Sequence, residues 1–236
     1  MSASPSANRS TGRRIAHFGG TFDPIHLGHL AVAHAAMKRF HLDHIYFIPC
    51  AYPPHKTSGE MLPFAHRYAM VALACAEHSR FVPSLAEAET NGGGRRVFYS
   101  VDTVRRFRRE FRKPGDRLYF LMGADSFLDI RAWKNYRTFL GLCDFVVAHR
   151  PGFASEALRQ VIPPQLFAKP AAGKKSSAST QKSIALRNTS VHLLDTVDSG
   201  VSATAIRRRM DRGQSIHGLV PSGVEDYIKK QALYNR

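Results

Sequence analysis

No apolar run in this 236-residue chain approaches the roughly 20 residues that a membrane-spanning helix requires. The first residues, MSASPSANRSTGRR, lack the apolar stretch of a secretory signal, so 1–13 reads as a disordered tail. Cysteine is scarce: Cys50, Cys75 and Cys143 lie far apart and form no Cys-x-x-Cys pair. That excludes a disulfide framework and a thiolate zinc site, and the expectation is a reducing, cytoplasmic setting. Neither a Gly-x-Gly-x-x-Gly fingerprint nor a Walker A loop with its Lys-Ser/Thr is present, which argues against nicotinamide redox chemistry and P-loop chemistry. No internal repeat is visible. Acidic residues are also few, 18 Asp+Glu against 34 Lys+Arg, leaving a formal charge of +16.

Such a balance favours anionic partners, either nucleic acid or phosphorylated small molecules. In RRFRREFRK, residues 105–113, Val104, Phe107 and Phe111 fall three and four apart and make one helical stripe. The aromatics are therefore expected in the core and the arginines on a solvated face, which makes nucleic-acid binding unlikely. A second basic stretch, KPAAGKKSSASTQKS (169–183), has no aromatic residue and is rich in Ser, Ala and Gly; it predicts a flexible basic surface loop around 153–188.

Strand and helix signals alternate along the rest. RRIAHFGG is a short apolar run stopped by glycines, HLAVAHAAMKRF has helical spacing, and HIYFIP is a β-rich run ended by proline. This is a βαβ unit, which demands a parallel sheet and a right-handed crossover. An Ala-rich helix (FAHRYAMVALACAEH) and a strand in RFVPSLAEAE follow, the latter demoted to a sheet edge by Pro83. RLYFLMGAD reads as a buried strand, 126–141 as a helix, DFVVAHRP and VHLLDT as strands, and SATAIRRRM and PSGVEDYIKKQAL as C-terminal helices. The fold class is α/β: a single doubly wound, Rossmann-like domain over 14–236 with a mostly parallel sheet.

Ligands of such sheets sit beyond the carboxyl ends of the strands, and there stands FGGTFDPIHLGHL, residues 18–30. Gly19 and Gly20 admit close backbone approach. A helix starting near Leu27 offers amides and a positive dipole end to a phosphate. His26 and His29 flank Gly28, so both imidazoles can face one pocket, bond phosphate oxygens and stabilise charge in a phosphoryl-type transition state. As zinc ligands they would lack a Cys or Glu at ligand spacing, so no protein-held metal is expected.

The stretch GGTFDPIHLGH resembles the G-G-x-F-x-P-x-H-x-G-H signature of the nucleotidylyltransferase superfamily. The further segments IPCAYPPHK, YSVDTV, FLMGADSFLDIRAW, VVAHRPG, VSATAIRRRM and LVPSGVEDYI occur in the order of the bacterial nicotinate-nucleotide adenylyltransferase family, from about residue 14 to 234. The resemblance implies transfer of AMP from ATP to nicotinate mononucleotide, giving nicotinate adenine dinucleotide and pyrophosphate, with Mg²⁺ carried by ATP. It implies catalytic roles for His26, His29 and Arg207. ATP contacts fall on Gly19, Gly20, Thr21, Phe22, Gly28, Gly123, Asp125, Ser202 and Thr204. Contacts to nicotinate mononucleotide fall on Lys56, Ser100, Thr103, Trp133 and Lys134. Trp133 would stack on the pyridine ring, with a core tryptophan as the competing reading. For Asp125 the competing reading is a cap on a helix from Ser126. Lys134 departs from the tyrosine of the family pattern. A related transferase, such as the pantetheine-phosphate enzyme, is the alternative within the superfamily, and a basic nucleic-acid-binding protein is the alternative outside it.

Overall fold

Strand β1, Arg14–Gly20, is buried on both faces through Ile15, Ala16 and Phe18, because helices cover both sides of a parallel sheet. The computed structural model describes residues 12–51, 61–88, 97–149, 155–169, 183–195 and 200–234. Helix α1 (Leu27–Phe40) returns the chain to β2 (His44–Pro49), which pairs in parallel with β1, Gly20 opposite Pro49. Helix α2 (Phe64–Ala76) leads to β3 (Phe81–Pro83), parallel to β2. The chain then crosses to the far side of β1 through α3 (Ser100–Glu110) and lays down β4 (Arg117–Gly123). Beyond β4 come α4 (Ala124–Leu128), a 3₁₀ turn (Ile130–Ala132), α5 (Tyr136–Leu140) and β5 (Asp144–His149). Next are α6 (Ser155–Val161), a second 3₁₀ turn (Pro164–Leu166), β6 (Ser183–Ala185) and β7 (Ser190–Asp195). Helices α7 (Ala203–Asp211) and α8 (Ser222–Lys230) follow.

The sheet order is β3-β2-β1-β4-β5-β7-β6, with β6 antiparallel to β7 and every other pair parallel. Connections run outward in one direction from β1 and in the other from β4. The crevice between the carboxyl ends of these two strands is therefore the topological switch point. One hydrophobic layer joins the sheet to α1, α2, α7 and α8 through Leu30, Met70, Ile206 and Val224. The other joins it to α3, α4, α5 and α6 through Val104, Phe127, Phe139 and Leu158. The doubly wound α/β domain expected from the sequence is thus what forms.

The basic helix behaves as its spacing predicts: Val104 and Phe107 are buried, Phe111 packs half-buried against the same core, and Arg108 and Arg109 are exposed. Pro83 ends β3 at the sheet edge, where a missing N–H interrupts no ladder. Two expectations change. The helix expected over 126–141 is broken in two, because Trp133 adopts extended backbone and Asn135 a left-handed φ of 51°. The stretch 153–188 is not wholly a loop. It holds α6, the second 3₁₀ turn and β6, anchored by Leu158, Ile162, Ile184 and Leu186, which are all buried. Residues 170–182, with most of its lysines, lie outside the described residues.

Phe139 is fully buried, meeting Phe120 edge-on at 5.0 Å and Phe145 at 5.0 Å. Phe139→Ala is expected to destabilise by about 3–5 kcal/mol. Urea denaturation would show this as a lower midpoint at unchanged slope.

Candidate active site

At the end of β1 the chain turns inward, and glycine is what permits it. A Cβ on Gly20 would lie 2.9 Å from the Phe22 ring. Phe22 itself takes a positive φ of 49° and buries its ring against Phe18, Phe47 and His29. Its side chain is therefore core, which corrects its expected contact with ATP: only its backbone is left to meet a ligand. Thr21 is half-buried, and its carbonyl accepts from Arg67.

His26 is the N-cap of α1, and His29 stands three residues on. The His26 amide donates to Nδ1 of His29 at 3.3 Å, so His29 does what a capping-box glutamate ordinarily does. With Nδ1 accepting, the proton of neutral His29 sits on Nε2. The two rings stack at 3.7 Å with 27° between planes, as expected of side chains facing one pocket. Burial pushes the His26 pKa down to about 4. Burial, then the neighbouring His26 ring, holds His29 well below the ordinary value. Both are neutral donors at neutral pH and not cations. Nδ1 of His26 is buried without a hydrogen-bond partner. The amides of α1 are fewer than the sequence implies, since Leu27 N–H already donates to the Leu219 carbonyl at 3.0 Å.

Arg207 reaches this loop from α7. Its Nη1 donates to the Asp23 carbonyl at 2.6 Å, and Nη2 lies 3.5 Å from Thr204 Oγ1. Ser202 caps α7 by accepting from the Ala205 amide at 3.2 Å, and Thr204 is exposed in the first turn. Arg208 and Arg209 are exposed. Gly28 is half-buried beside the imidazoles. At the end of β4, Gly123 opens onto space: a Cβ there would meet nothing within 4 Å, so the protein's own packing does not require glycine. Asp125 is exposed inside the first turn of α4. Because that helix starts at Ala124 with Gly123 as its cap, the capping role considered for Asp125 is excluded.

Most of the residues expected to meet nicotinate mononucleotide lie on α3 and the α4–α5 turn. Trp133 is half-buried, its ring parallel to Phe139 at 5.9 Å and edge-on to Phe120 at 6.2 Å. It is thus part of the core and still partly accessible. Ser100 opens α3 and is half-buried. Thr103 is a correction: it is buried, and its hydroxyl donates to Glu87 at 2.9 Å, so it is not available to a ligand. Lys134 extends over the Tyr99 ring at 4.1 Å and pairs with Asp102 at 3.2 Å. Lys56 lies outside the described residues.

Arg67, Asp23 and Glu87 are among the buried polar residues that escaped the sequence reading. Arg67, 1% exposed, donates to the carbonyls of Thr21, Ala51 and Leu62. Asp23, 2% exposed, accepts from the Tyr234 hydroxyl at 2.6 Å. Glu87 is buried beside Thr103, and burial raises its pKa. Arg67 did carry a signal, a lone charge on the face of α2 shared with Met70, Val71 and Ala74. Among the described residues no cluster of three or more His, Cys, Asp or Glu could hold a metal, and no helix is long and apolar enough to cross a membrane.

A site of this form has known relatives. The cytidylyltransferase-like family model matches residues 17–209. A probable nicotinate-nucleotide adenylyltransferase of Geobacter sp. (strain M21) is 40% identical over 225 residues, 94% of this chain and 98% of the relative. One from Moorella thermoacetica is 38% identical over 94% of this chain and 91% of its own. The chain belongs to the nicotinate-nucleotide adenylyltransferase family. The fold is also that of the Plasmodium falciparum nicotinic acid mononucleotide adenylyltransferase solved with NaAD, at a TM-score of 0.65 and 16% identity over 94% of this chain and 97% of that one. A putative nicotinate-nucleotide adenylyltransferase from Vibrio parahaemolyticus gives 0.60 at 15% identity, covering 95% and 96%.

The depressed imidazoles have a consequence for pH. His26 binds its proton at about 4 when folded but near 6.5 when unfolded, and His17, buried under Phe107 and Phe120, at about 3. The unfolded state therefore takes up protons first as pH falls. Stability is full above pH 6.5 and declines as pH falls from 6.5 towards 4. His26→Asn keeps an N-cap residue and removes one of the depressed groups, so its stability should fall less steeply over this window in denaturant titrations.

Proposed function

We propose that this chain transfers the adenylyl group of ATP to the 5′-phosphate of nicotinate mononucleotide, forming nicotinate adenine dinucleotide and releasing pyrophosphate. The observation that carries the reading is the stacked pair of neutral imidazoles at the N-terminus of α1, at the sheet's switch point, facing the loop that Arg207 grips. The curated relatives bear the corresponding name, and the Plasmodium falciparum enzyme was solved with NaAD.

The chemistry suits these residues. An oxygen of the acceptor phosphate attacks the α-phosphorus in line, a new P–O bond forms, and the bond to the β-phosphate oxygen breaks. A phosphate monoester is already nucleophilic near neutral pH, so no protein base or covalent nucleophile is required. Positioning and charge stabilisation supply the rate. His29 offers its Nε2 proton to the transferring group, and His26 sits against it with a buried, unpartnered nitrogen. Keeping both rings neutral spares the site the repulsion of two stacked cations. Arg207, Ser202 and Thr204 on α7 face the β- and γ-phosphates with one positive charge and the start of a helix. ATP brings Mg²⁺ with it as substrate, and the donors here, imidazole, hydroxyl, amide and guanidinium, match a polyphosphate better than a bare cation. The open space beside Gly123 takes the adenosine, with Asp125 towards the ribose hydroxyls. Trp133 stacks on the pyridine, Ser100 lies near its carboxylate, and Lys56 meets the acceptor phosphate. A cytoplasmic setting belongs to the same proposal, on the three dispersed cysteines of the sequence.

Purified protein with ATP, Mg²⁺ and nicotinate mononucleotide should release pyrophosphate and form the dinucleotide. Turnover with phosphopantetheine in place of the nucleotide would instead assign the pantetheine-phosphate reaction. His29→Ala should lower kcat by about 10²–10³ in that assay with the fold intact by circular dichroism.

Selectivity for the acid over its amide analogue should reside in backbone amides near Trp133, because the Lys134 ammonium is already engaged by Asp102 and Tyr99. Lys134→Met should therefore leave the ratio of kcat/KM for the two acceptors within about twofold, as expected of an exposed ion pair worth under 1 kcal/mol. A collapse of that ratio would show the ammonium reading the carboxylate.

A further inference from the structure

Asp23 lies three residues before His26, inside the loop that carries the reacting end of α1, yet its carboxylate faces away from solvent. A buried carboxylate needs donors. The short bond comes from the Tyr234 hydroxyl to Oδ1 at 2.6 Å, and a longer one from the Leu62 amide to Oδ2 at 3.4 Å. The carbonyl of the same residue accepts from Arg207. Asp23 is thus the point at which four separate segments meet: the loop itself, the chain before α2, α7, and the stretch after α8.

That last stretch takes an unusual path to reach it. Ala232 and Tyr234 both have left-handed backbone, with φ of 48° and 62°, and Leu233 between them is buried with its amide on the Ile228 carbonyl at 3.0 Å. Left-handed non-glycine residues persist where surrounding contacts hold them, and they cluster near functional sites. Burial, and next the charge of Asp23, raises the Tyr234 pKa, so the phenol stays a donor throughout the working range.

We propose that Tyr234 is a positioning residue for the adenylyl transfer: through Asp23 it fixes the 21–26 loop, and so holds His26, His29 and Arg207 in the arrangement that receives the triphosphate. The inference rests on the reading under Proposed function. It assigns Tyr234 to the nucleotide side of the reaction, because Tyr234 packs against one hydrophobic layer and Trp133 against the opposite one.

The test is Tyr234→Phe in the full chain, which deletes one hydroxyl and keeps the ring. kcat should fall about tenfold while KM for nicotinate mononucleotide stays within about twofold. In an Asp23→Ala background, where the acceptor is gone, the same change should have less than about a threefold effect, since the two residues act through one contact. Leu233→Ala loosens the same segment without removing the hydroxyl and should leave kcat within about twofold. Histidine ring NMR of the ligand-free protein gives a readout apart from activity: in Tyr234→Phe the His26 and His29 signals should shift while those of exposed His44 hold. Unchanged kcat with unchanged ring signals overturns the proposal, as does a Leu233→Ala loss equal to that of Tyr234→Phe. A wild type that never adenylates the acceptor overturns the functional reading alone, because the ring signals still decide the positioning role.

Discussion

The guanidinium of Arg67 is the constraint on which the site depends. It is buried in α2 and spreads its donors over three carbonyls, from Thr21 after β1, Ala51 after β2 and Leu62 before α2. Burying such a group is costly, and only the full set of acceptors offsets it. Each of those carbonyls belongs to irregular chain that no sheet or helix ladder satisfies. One side chain thereby converts three independent loop ends into a single rigid floor. The inward turn of Phe22, the burial of Asp23 and the placement of His26 at the head of α1 all follow on that floor. The planar fork of arginine matters here, because a lysine ammonium cannot reach three divergent carbonyls in one plane.

Charge is distributed in an instructive way. The chain carries +16, yet its two central imidazoles are uncharged, and the cations Arg67 and Arg207 both bond carbonyls of the loop before α1. Exposed arginines on α3 and α7 contribute a long-range field that draws in anionic substrates and weakens with salt. His26 and His29, held neutral by their surroundings, contribute no charge to that field.

Much of the site was legible in the sequence, and the reasons are local. Gly19–Gly20, the His26–His29 spacing and Ser202 before an apolar-periodic helix are features of adjacent residues, and periodicity placed them at strand and helix ends. Other assignments failed because they depend on what the chain meets at a distance. Thr103 reads as a polar residue near the acceptor, but Glu87, sixteen positions earlier in sequence, takes its hydroxyl. Phe22 reads as part of a ligand-facing loop, but the gap between Phe18 and Phe47 takes its ring. For Lys134, whose side-chain role the sequence left open, the structure supplies a partner in Asp102.

The sequence by itself determined the alternation of strands and helices, the glycine turn after β1 and the His26–Gly28–His29 spacing that sets two imidazoles at one helix start. Each of these follows from backbone freedom, period and residue chemistry within a few positions. Only the tertiary structure decided the protonation of the two histidines, because desolvation depends on what covers a ring. It alone decided which helix ends still offer amides, since Leu219 takes one from α1. It alone joined Tyr234 to Asp23 across 211 positions, a bond whose partners no local pattern connects and which exists because packing leaves a buried carboxylate one short donor.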